Sequence, residues 1–475
     1  MICLHKPGVA VPAAVPVVMA AVLLLSGCTS LSGDGGFHAA AALSTQRTGA
    51  PASVAGRLPR NEDDARALAT VVAAKLAQPL SADDAVQVAL LNNRDLQATY
   101  WSLGIAEADL VQASRLQNPV LDFKRSHGGG AIEIERTLTF NLLGLITTPL
   151  AGRIEAGRYE QSRLLVANEA VRLAAETRRA WVAAVAAGQS ADYAQQVQAS
   201  AEASAELAQR MRDAGNWSAM DVAREQAYHA QTVADVTAAR KATVNAREKL
   251  ARLMGLAGAQ AAYRLPAQLP DLPAAPARLA QVEQLAIDQR LDIEAARLDV
   301  AHTASSLGLT NTTRFINVVD LGLVANSAGA TNTRGYELSL EIPLFDWGGA
   351  RVARAEATYM QAVNRLAQAV VHARSEARES HADYLAAYEL ARHYRDQVLP
   401  TRKKLADETL LRYNGMLLSV FELLADAREQ AGAVRGYIAA QQDFWTAQAN
   451  LDAALGGQAG LPAPATNPST QGEQP

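Results

Sequence analysis

Two short stretches of this 475-residue chain decide its fold, Ile132-Glu-Ile-Glu-Arg-Thr-Leu-Thr-Phe140 and Tyr336-Glu-Leu-Ser-Leu-Glu-Ile342. In both stretches large residues alternate with Glu, Thr or Ser, and Arg136 is the one charged residue in the large series. Alternation with a period of two is typical of a β-strand with one apolar and one polar face. The sequence therefore predicts a strand at each position.

A second strand-like stretch precedes each of these strands. Residues 120–126 are separated from the first by His127-Gly-Gly-Gly130, and residues 315–324 from the second by the turn-forming residues 326–333. The sequence thus predicts two hairpins. Strands of about nine residues with one apolar face suit an outer-membrane β-barrel whose polar face lines the lumen. Because four strands cannot close a barrel, and unpaired backbone groups are costly in lipid, several chains must share it.

Proline positions delimit long helices on either side of the hairpins. Proline is nearly incompatible with a helix interior. A helix over residues 150–213 reaches about 96 Å, and one over residues 347–413 reaches about 100 Å with a kink near Pro400. Rods of this length must pack lengthwise against other helices, as in a coiled coil. Three stretches contain no proline: residues 150–265, 344–399 and 401–461.

Composition excludes several classes of protein. The chain has 44 Lys and Arg against 48 Asp and Glu, a net charge of −4, and no long basic run, which argues against nucleic-acid binding. Its 49% apolar content excludes a wholly disordered chain, and its 5% aromatic content favours closely packed, alanine-rich helices. Two cysteines, Cys3 and Cys28, provide no disulfide framework.

The first 28 residues resemble the export signal of a bacterial lipoprotein. An apolar run follows Lys6 and ends in Leu25-Ser-Gly-Cys28, where lipoprotein processing cuts before the cysteine. An ordinary secretory signal and a membrane anchor are the alternatives. The resemblance implies an acylated, palmitate-bearing Cys28, and Thr29 in place of Asp favours outer-membrane delivery. Past the signal no apolar run of 18 residues remains, so any membrane crossing must use strands.

An internal duplication orders the rest of the chain. Residues 88–98 align with 285–295 at an offset of 197, and Ala223-Arg-Glu-Gln-Ala227 recurs as Ala427-Arg-Glu-Gln-Ala431 at an offset of 204. Each half then reads helix, hairpin, long helix, turn, helix. The predicted segments are a signal peptide (1–27), a lipidated segment (28–79), repeat 1 (80–265), a proline-rich connector (266–276), repeat 2 (277–455) and a flexible tail (456–475).

Motifs at the strand ends and helix turns resemble those of the TolC-type outer-membrane efflux factors over residues 80–455. Leu340-Glu-Ile-Pro-Leu-Phe-Asp-Trp-Gly-Gly349 and Arg412-Tyr-Asn-Gly415, which leads into Phe421-Glu-Leu-Leu424, carry the resemblance; Leu138–Gly144, Arg212–Gly215 and Asp221-Val222 are their first-half counterparts. The resemblance implies a mainly α fold with a small β part. It also implies a homotrimer with a shared transmembrane β-barrel in outer-membrane lipid and an α-helical barrel across the periplasm. Its partners would be a periplasmic adaptor and an inner-membrane pump.

The turns after the long helices are the candidate periplasmic mouth. In the family, polar and charged residues just after such turns close the channel, and matching by position suggests Asp221 in the first half and Tyr413, Glu422 and Asp426 in the second. Gly215 lies eight residues before Ala223, but Gly415 lies twelve residues before Ala427. The spacing therefore does not decide which second-half acid forms the gate. Glu422 and Asp426 are equally well explained as a solvated i,i+4 face. Trp217 either docks an adaptor or fills the tip. The tip and gate candidates are Asp213, Gly215, Trp217, Asp221, Arg412, Tyr413, Gly415, Glu422 and Asp426.

The polar faces of the strands carry candidate lumen residues Glu133, Glu135, Glu337 and Glu341. A ring of carboxylates in a hydrated pore favours cations, so we expect a mildly cation-selective duct. Glu is also common on strands for solubility alone. Trp347 is either an interfacial anchor or a packing residue.

No catalytic or metal-binding constellation is recognisable. The chain has no HExxH motif and no nucleophile elbow, and Gly128–Gly130 lacks the lysine of a phosphate loop. Spacings of nine and twelve residues scatter His372, His381 and His393 around a helix axis. We therefore expect a passive outer-membrane exit duct for small molecules or cations, without cofactor or metal. The rivals are a periplasmic coiled-coil adaptor or scaffold lipoprotein without a pore, and an envelope hydrolase, which lacks a site.

Overall fold

The computed structural model describes residues 31–49, 59, 61–128, 131–316 and 318–457. The signal peptide, Cys28 and residues 458–475 of the tail lie outside the described residues. The chain divides into two compact units, each of which draws on both halves of the sequence. The first unit extends to Gly35 and includes residues 104–160 and 298–363; the second comprises residues 36–103, 161–297 and 364 onward.

The first unit contains one antiparallel sheet of four strands in the order β1-β2-β3-β4. Both hairpins predicted from the sequence are present, and they are joined through pairing of β2 with β3. The strands are β1 Val120–Gly128, β2 Ala131–Asn141, β3 Val319–Ala328 and β4 Thr331–Leu340.

The β3–β4 turn is shorter than the polar composition of residues 326–333 suggests. Only Gly329 and Ala330 separate the strands, and Gly329 adopts a left-handed φ of 59°. Asn326 pairs with Thr333 and Ser327 with Asn332 inside the ladder. The Ser327 hydroxyl donates to Asn332 Oδ1 at 2.7 Å, so these polar side chains bond to each other across the strands.

A helix begins directly after the first hairpin, whereas eight residues separate the second hairpin from the helix that follows it. Helix α5, Leu142–Asp213, starts eight residues before the expected position, because the Asn141 side chain accepts a hydrogen bond from the Gly144 amide at the first turn of the helix. Pro149 lies inside this 72-residue helix. After β4, Gly348 has a φ of 74°, and a Cβ there would lie 2.5 Å from the Arg314 carbonyl oxygen, so glycine is required before the next helix.

The second unit is helical in the described residues, and four of the helices given below have residues in both units. No helix of the described residues combines the length and apolarity needed to cross a membrane. The helices of the chain are α1 Phe37–Thr48, α2 Glu62–Leu76, α3 Ala82–Asn92, α4 Arg94–Ala113, α5 Leu142–Asp213, α6 Ala219–Leu253, α7 Val282–Gln289, α8 Leu291–Thr313, α9 Gly349–His393, α10 Leu399–Asn414 and α11 Val420–Ala454.

The irregularity expected near Pro400 is a π-helical segment, Tyr394–Val398, between α9 and α10. Proline supplies no backbone N–H, so the regular i→i−4 ladder cannot continue through it. Gly436 of α11 lies against the Tyr394 ring, and a Cβ there would come within 2.8 Å of it.

The proline-rich connector is fixed by side chains of the helical core. Tyr388 donates its hydroxyl proton to the Ala274 carbonyl at 2.8 Å, and Trp445 Nε1 donates to the Pro270 carbonyl at 3.0 Å. The Ala277 amide donates to the Tyr384 hydroxyl at 3.0 Å. Tyr384 and Tyr388 are almost completely buried. Core residues therefore satisfy the connector's backbone groups, as buried polar groups require.

Candidate functional site

The strand register sorts side chains onto two faces of the sheet. Residues directly opposite in an antiparallel pair share a face, so the pairings Asp122–Thr137, Lys124–Glu135 and Gly322–Glu337 define the first face. A concavity of about 400 Å³ lies on it. This concave face carries Asp122, Lys124, Glu133, Glu135, Thr137, Thr139, Asp320, Asn326, Glu337 and Ser339.

All five carboxylates of the described strands lie on the concave face, against one cation. Lys124 forms a 3.9 Å ion pair with Glu135, and Asn326 Nδ2 donates to Glu133 Oε1 at 3.5 Å. The structure thus brings three lumen candidates, Glu133, Glu135 and Glu337, onto one surface. The fourth, Glu341, follows β4, where its amide donates to the Val318 carbonyl at 3.3 Å.

The opposite face is apolar over its three rows nearest the helices. The row Leu121, Leu138, Leu323 and Tyr336 runs across all four strands, and Phe140, Leu321 and Leu338 form the next. Leu121 is 70% exposed and Tyr336 is 80% exposed, so these side chains are uncovered in a single chain.

Three arginines lie on the apolar face, in the rows nearer the hairpin turns. Arg136 and Arg334 both pair with Ala325, and Arg125 pairs with Ile134 in the next row. Of the three, only Arg136 could be placed on this face from the sequence, because Arg125 and Arg334 lie beside polar residues in β1 and β4 and only the register assigns their face.

The two helix turns have the same backbone design. Five residues separate α5 from α6, and five separate α10 from α11. In the first turn the amides of Gly215 and Asn216 donate to the carbonyls of Arg212 and Met211 at 2.8 and 2.9 Å. In the second, Met416 and Leu417 donate to Tyr413 and Arg412 at 2.9 and 2.8 Å. Both are Schellman motifs.

The counterpart of Gly215 is therefore Met416, and the pairing of Gly215 with Gly415 made from the sequence is wrong. Gly215 has a φ of 79° and Met416 a φ of 59°, both left-handed, whereas Gly415 has a φ of −80°. Glycine is the usual residue at this helix-terminating position, so the sequence alone favours Gly415 as the match of Gly215.

Each turn leads into a capping box. The Ser218 hydroxyl accepts from the Asp221 amide at 3.2 Å, and the Ser419 hydroxyl accepts from the Glu422 amide at 3.3 Å. Asp221 and Glu422 in turn accept from the serine amides, at 3.3 and 3.0 Å. Hydrogen bonds from Ser419, the larger from its amide and the smaller from its hydroxyl, stabilise the carboxylate and lower the pKa of Glu422.

Glu422 is thus the positional counterpart of Asp221, at the same offset of 201 as the helix starts. The pentapeptides beginning at Ala223 and Ala427 are offset by 204, so they occupy positions three residues apart in their helices. Of the four-residue difference in spacing noted in the sequence, three residues lie inside the helices and one comes from counting from Gly415 instead of Met416; the turns themselves are equal in length.

The remaining tip candidates have local contacts. Asp213 accepts from Gln209 at 2.9 Å and Arg412 lies 3.9 Å from Glu408, each within its own helix. Tyr413 and Asp426 are half-buried. Trp217 is half-buried and stacks on Phe421, with ring centroids 4.4 Å apart.

Solved outer-membrane channels have the same architecture. The outer-membrane channel OprN matches with a TM-score of 0.68 and 22% identity, over 79% of this chain and 90% of that one. The open state of the Neisseria gonorrhoeae MtrE outer membrane channel matches at 0.67 and 20%, over 79% and 88%. The Campylobacter jejuni CmeC outer membrane channel matches at 0.67 and 16%, over 79% and 86%. The chain has the outer-membrane channel fold.

The channel fold confirms the mainly helical class with a small sheet and, at the level of fold, the resemblance read from the motifs. No protein-family model and no curated protein matches this chain in sequence. Among the described residues no three His, Cys, Asp or Glu side chains are grouped closely enough to hold a metal ion.

The channel fold also contains an ion pair that sequence analysis missed. Arg428 of α11 donates to Glu225 of α6 at 2.5 Å, and its guanidinium lies 4.2 Å from the centre of the Tyr228 ring. The Glu225 side chain is only 5% exposed. Glu225 belongs to one copy of the repeated pentapeptide and Arg428 to the other.

Proposed function

We propose that this chain is the outer-membrane channel component of a tripartite efflux system. It acts as a passive exit duct rather than an enzyme, for small molecules or cations delivered by an inner-membrane pump and a periplasmic adaptor. The observation that carries the proposal is the four-stranded sheet, with one charged concave face and one exposed apolar face. The channel fold favours this function over a periplasmic adaptor or scaffold without a pore.

A homotrimer completes the sheet. β1 and β4 are edge strands in a single chain, and every residue of β4 is exposed. Unpaired strand edges are very costly in lipid, so β4 of one copy pairs with β1 of the next. Three copies then form a twelve-stranded barrel with hydrocarbon outside and the carboxylate-rich face inside, continued by an α-helical barrel across the periplasm.

An internal duplication accounts for the repeated construction of each subunit. The α3–α4 pair breaks at Asn93 and the α7–α8 pair at Arg290, with nearly the same extended backbone angles and an offset of 197. The glycines that end α6 and α11, Gly255 and Gly456, approach the carbonyls of Asn92 and Gln289 in the same way. A shared origin of repeats 80–265 and 277–455 explains both correspondences.

The helix turns form the adaptor-docking tip and the gate. Met416 is 94% exposed and Leu417 77% exposed, which suits burial against a partner protein. Asp221 and Glu422, with Tyr413 and Asp426 nearby in the second half, supply the polar ring that narrows the mouth. The lipid anchor at Cys28 holds the assembly to the outer membrane.

Cation preference follows from the charge on the concave face. Five carboxylates and one lysine per chain would line the pore, so cations are attracted and anions repelled. In planar bilayers under a salt gradient, the reversal potential should indicate cation preference, and the double variant Glu135→Gln, Glu337→Gln should reduce it. Anion preference in the unaltered protein contradicts this part of the proposal.

The central experiment is fractionation of the full-length protein expressed with its signal. A channel is expected to be recovered from outer membranes only with detergent, as heat-stable trimers that conduct in planar bilayers. An adaptor or scaffold would be extracted without detergent once its lipid is removed, as with Cys28→Ala, and would not conduct. Water-soluble monomers of that variant would overturn the proposal.

A further inference from the structure

The two faces of the sheet differ in the sign of their charge as well as in polarity. The five strand carboxylates lie on the concave face, and among the described strand residues none lies on the apolar face. Arg125, Arg136 and Arg334 lie on the apolar face. Within the described strands, no acidic side chain therefore lies on the same face as these arginines.

The three arginines occupy neighbouring positions on the apolar face. Arg136 and Arg334 flank Ala325, two strand spacings or about 10 Å apart. Arg125 is the diagonal neighbour of Arg136 across β1 and β2, about 7–8 Å away. Ala325 and Ser327 between them are small, and all three arginines are exposed, so the space above this part of the sheet is open.

Among the described residues, these arginines have no counter-ion. None of the three side chains makes an ion pair or hydrogen bond with the described residues, whereas Lys124 on the other face is paired with Glu135. A guanidinium fits a phosphate group through two parallel hydrogen bonds. An unpaired cluster of three such groups is thus complementary to a phosphorylated ligand.

Their depth on the sheet selects the source of that phosphate. The arginines lie directly beyond the apolar rows that end with Leu121, Leu323 and Tyr336, on the side of the hairpin turns. The helices leave the sheet at the opposite end, where Asn141 and Leu340 end their strands. If the apolar rows contact hydrocarbon, the arginines lie where hydrocarbon meets the headgroups of the outer leaflet.

We propose that Arg125, Arg136 and Arg334 bind the phosphate groups of an anionic lipid of the outer leaflet. This inference rests on the proposed function, because it requires that the apolar face contact the membrane. The site would anchor the hairpins at a fixed depth and hold a shell of phosphorylated lipid around the barrel.

The test uses trimers reconstituted in phosphatidylethanolamine nanodiscs, with lipopolysaccharide as the phosphorylated probe and its enzymatically dephosphorylated form for comparison. Copurifying or added lipopolysaccharide is counted by mass spectrometry. We expect the triple variant Arg125→Gln, Arg136→Gln, Arg334→Gln to lose at least tenfold in retained lipid. Lys124→Gln, which removes a cation from the concave face, should retain the unaltered amount.

Several outcomes overturn the inference. Equal retention by the triple variant, equal retention of the dephosphorylated lipid, or full displacement by millimolar inorganic phosphate would each contradict a lipid-phosphate site. If the triple variant does not assemble, Arg125→Gln and Arg334→Gln alone are expected to reduce retention severalfold, and no reduction in either overturns the proposal. Failure of the unaltered protein to enter nanodiscs contradicts the proposed function itself, which separates the two results.

Discussion

The two helix turns have the same hydrogen bonds but different residues at the position of greatest backbone strain. Gly215 occupies the left-handed position of the first turn, and Met416 occupies it in the second. A left-handed conformation costs a residue with a side chain roughly 1–2 kcal/mol. The Schellman bonds and serine caps therefore set the turn geometry, and glycine only lowers its energy. We expect the second turn to open more readily than the first.

The largest effect is expected from removing the ion pair that joins α6 and α11, the helices that follow the two turns. Arg428→Ala leaves the Glu225 carboxylate buried without its ion-pair partner, and we expect a loss of about 2–3 kcal/mol in the free energy of unfolding, because Arg428 itself is partly exposed. Urea unfolding in detergent, followed by helical circular dichroism, measures it.

Arg435→Ala is the matched control on the same helix pair. Its partner Asp235 lies 3.4 Å away, but both side chains are well exposed, so the expected loss is below about 1 kcal/mol. Equal losses in the two variants would show that burial of Glu225 has no special weight.

Removing the caps tests whether the two turns are equivalent. Ser218→Ala and Ser419→Ala each remove one capping box, and each is expected to destabilise its own turn by about 1 kcal/mol. Hydrogen exchange of the amides in each turn reports the two effects separately. A much larger effect at one serine would mean that the turns differ in more than their left-handed residue.

Substituting the left-handed residue tests whether it accounts for the difference in stability between the two turns. Met416→Gly relieves backbone strain and should stabilise the second turn by about 0.5–1 kcal/mol, after the greater unfolded-state entropy of glycine is allowed for. Gly215→Ala should destabilise the first turn by a similar amount. Gly415→Ala is the control: with a φ of −80° it should be neutral or slightly stabilising. Destabilisation by Met416→Gly would contradict the assignment of strain.

Acid should weaken the second turn through Glu422. Because hydrogen bonds from Ser419 lower the pKa of this carboxyl, its stabilising contribution is fully present above the ordinary pKa of glutamate and is lost as the pH falls through the lowered pKa. The amide protection of the second turn should therefore decrease in acid. Glu422→Gln should remove this pH dependence, and an unchanged pH profile in that variant would show that another group titrates.

The helices and strands could be predicted from the sequence, but the side-chain contacts between them could not. The alternation in β2 and β4 was decisive because large and polar residues alternate without a break over 132–140 and 336–342, whereas Arg125 in β1 could be assigned to a face only from the ladder. The proline-free stretches located the long helices, although Asn141 starts α5 before Pro149. The Glu225–Arg428 pair could not be predicted, because it depends on the rotation of one helix against another, which no local pattern records.

The connector between the repeats is bound by side chains of both repeats. Gln189 accepts from the Leu269 amide at 3.3 Å on the first-repeat side, and Tyr388 and Trp445 bind the Ala274 and Pro270 carbonyls on the second-repeat side. Side chains of both repeats form hydrogen bonds with the connector backbone. An unbroken peptide chain is therefore not needed to hold the connector in place. A gene split at this segment should yield two fragments that assemble when they are produced together.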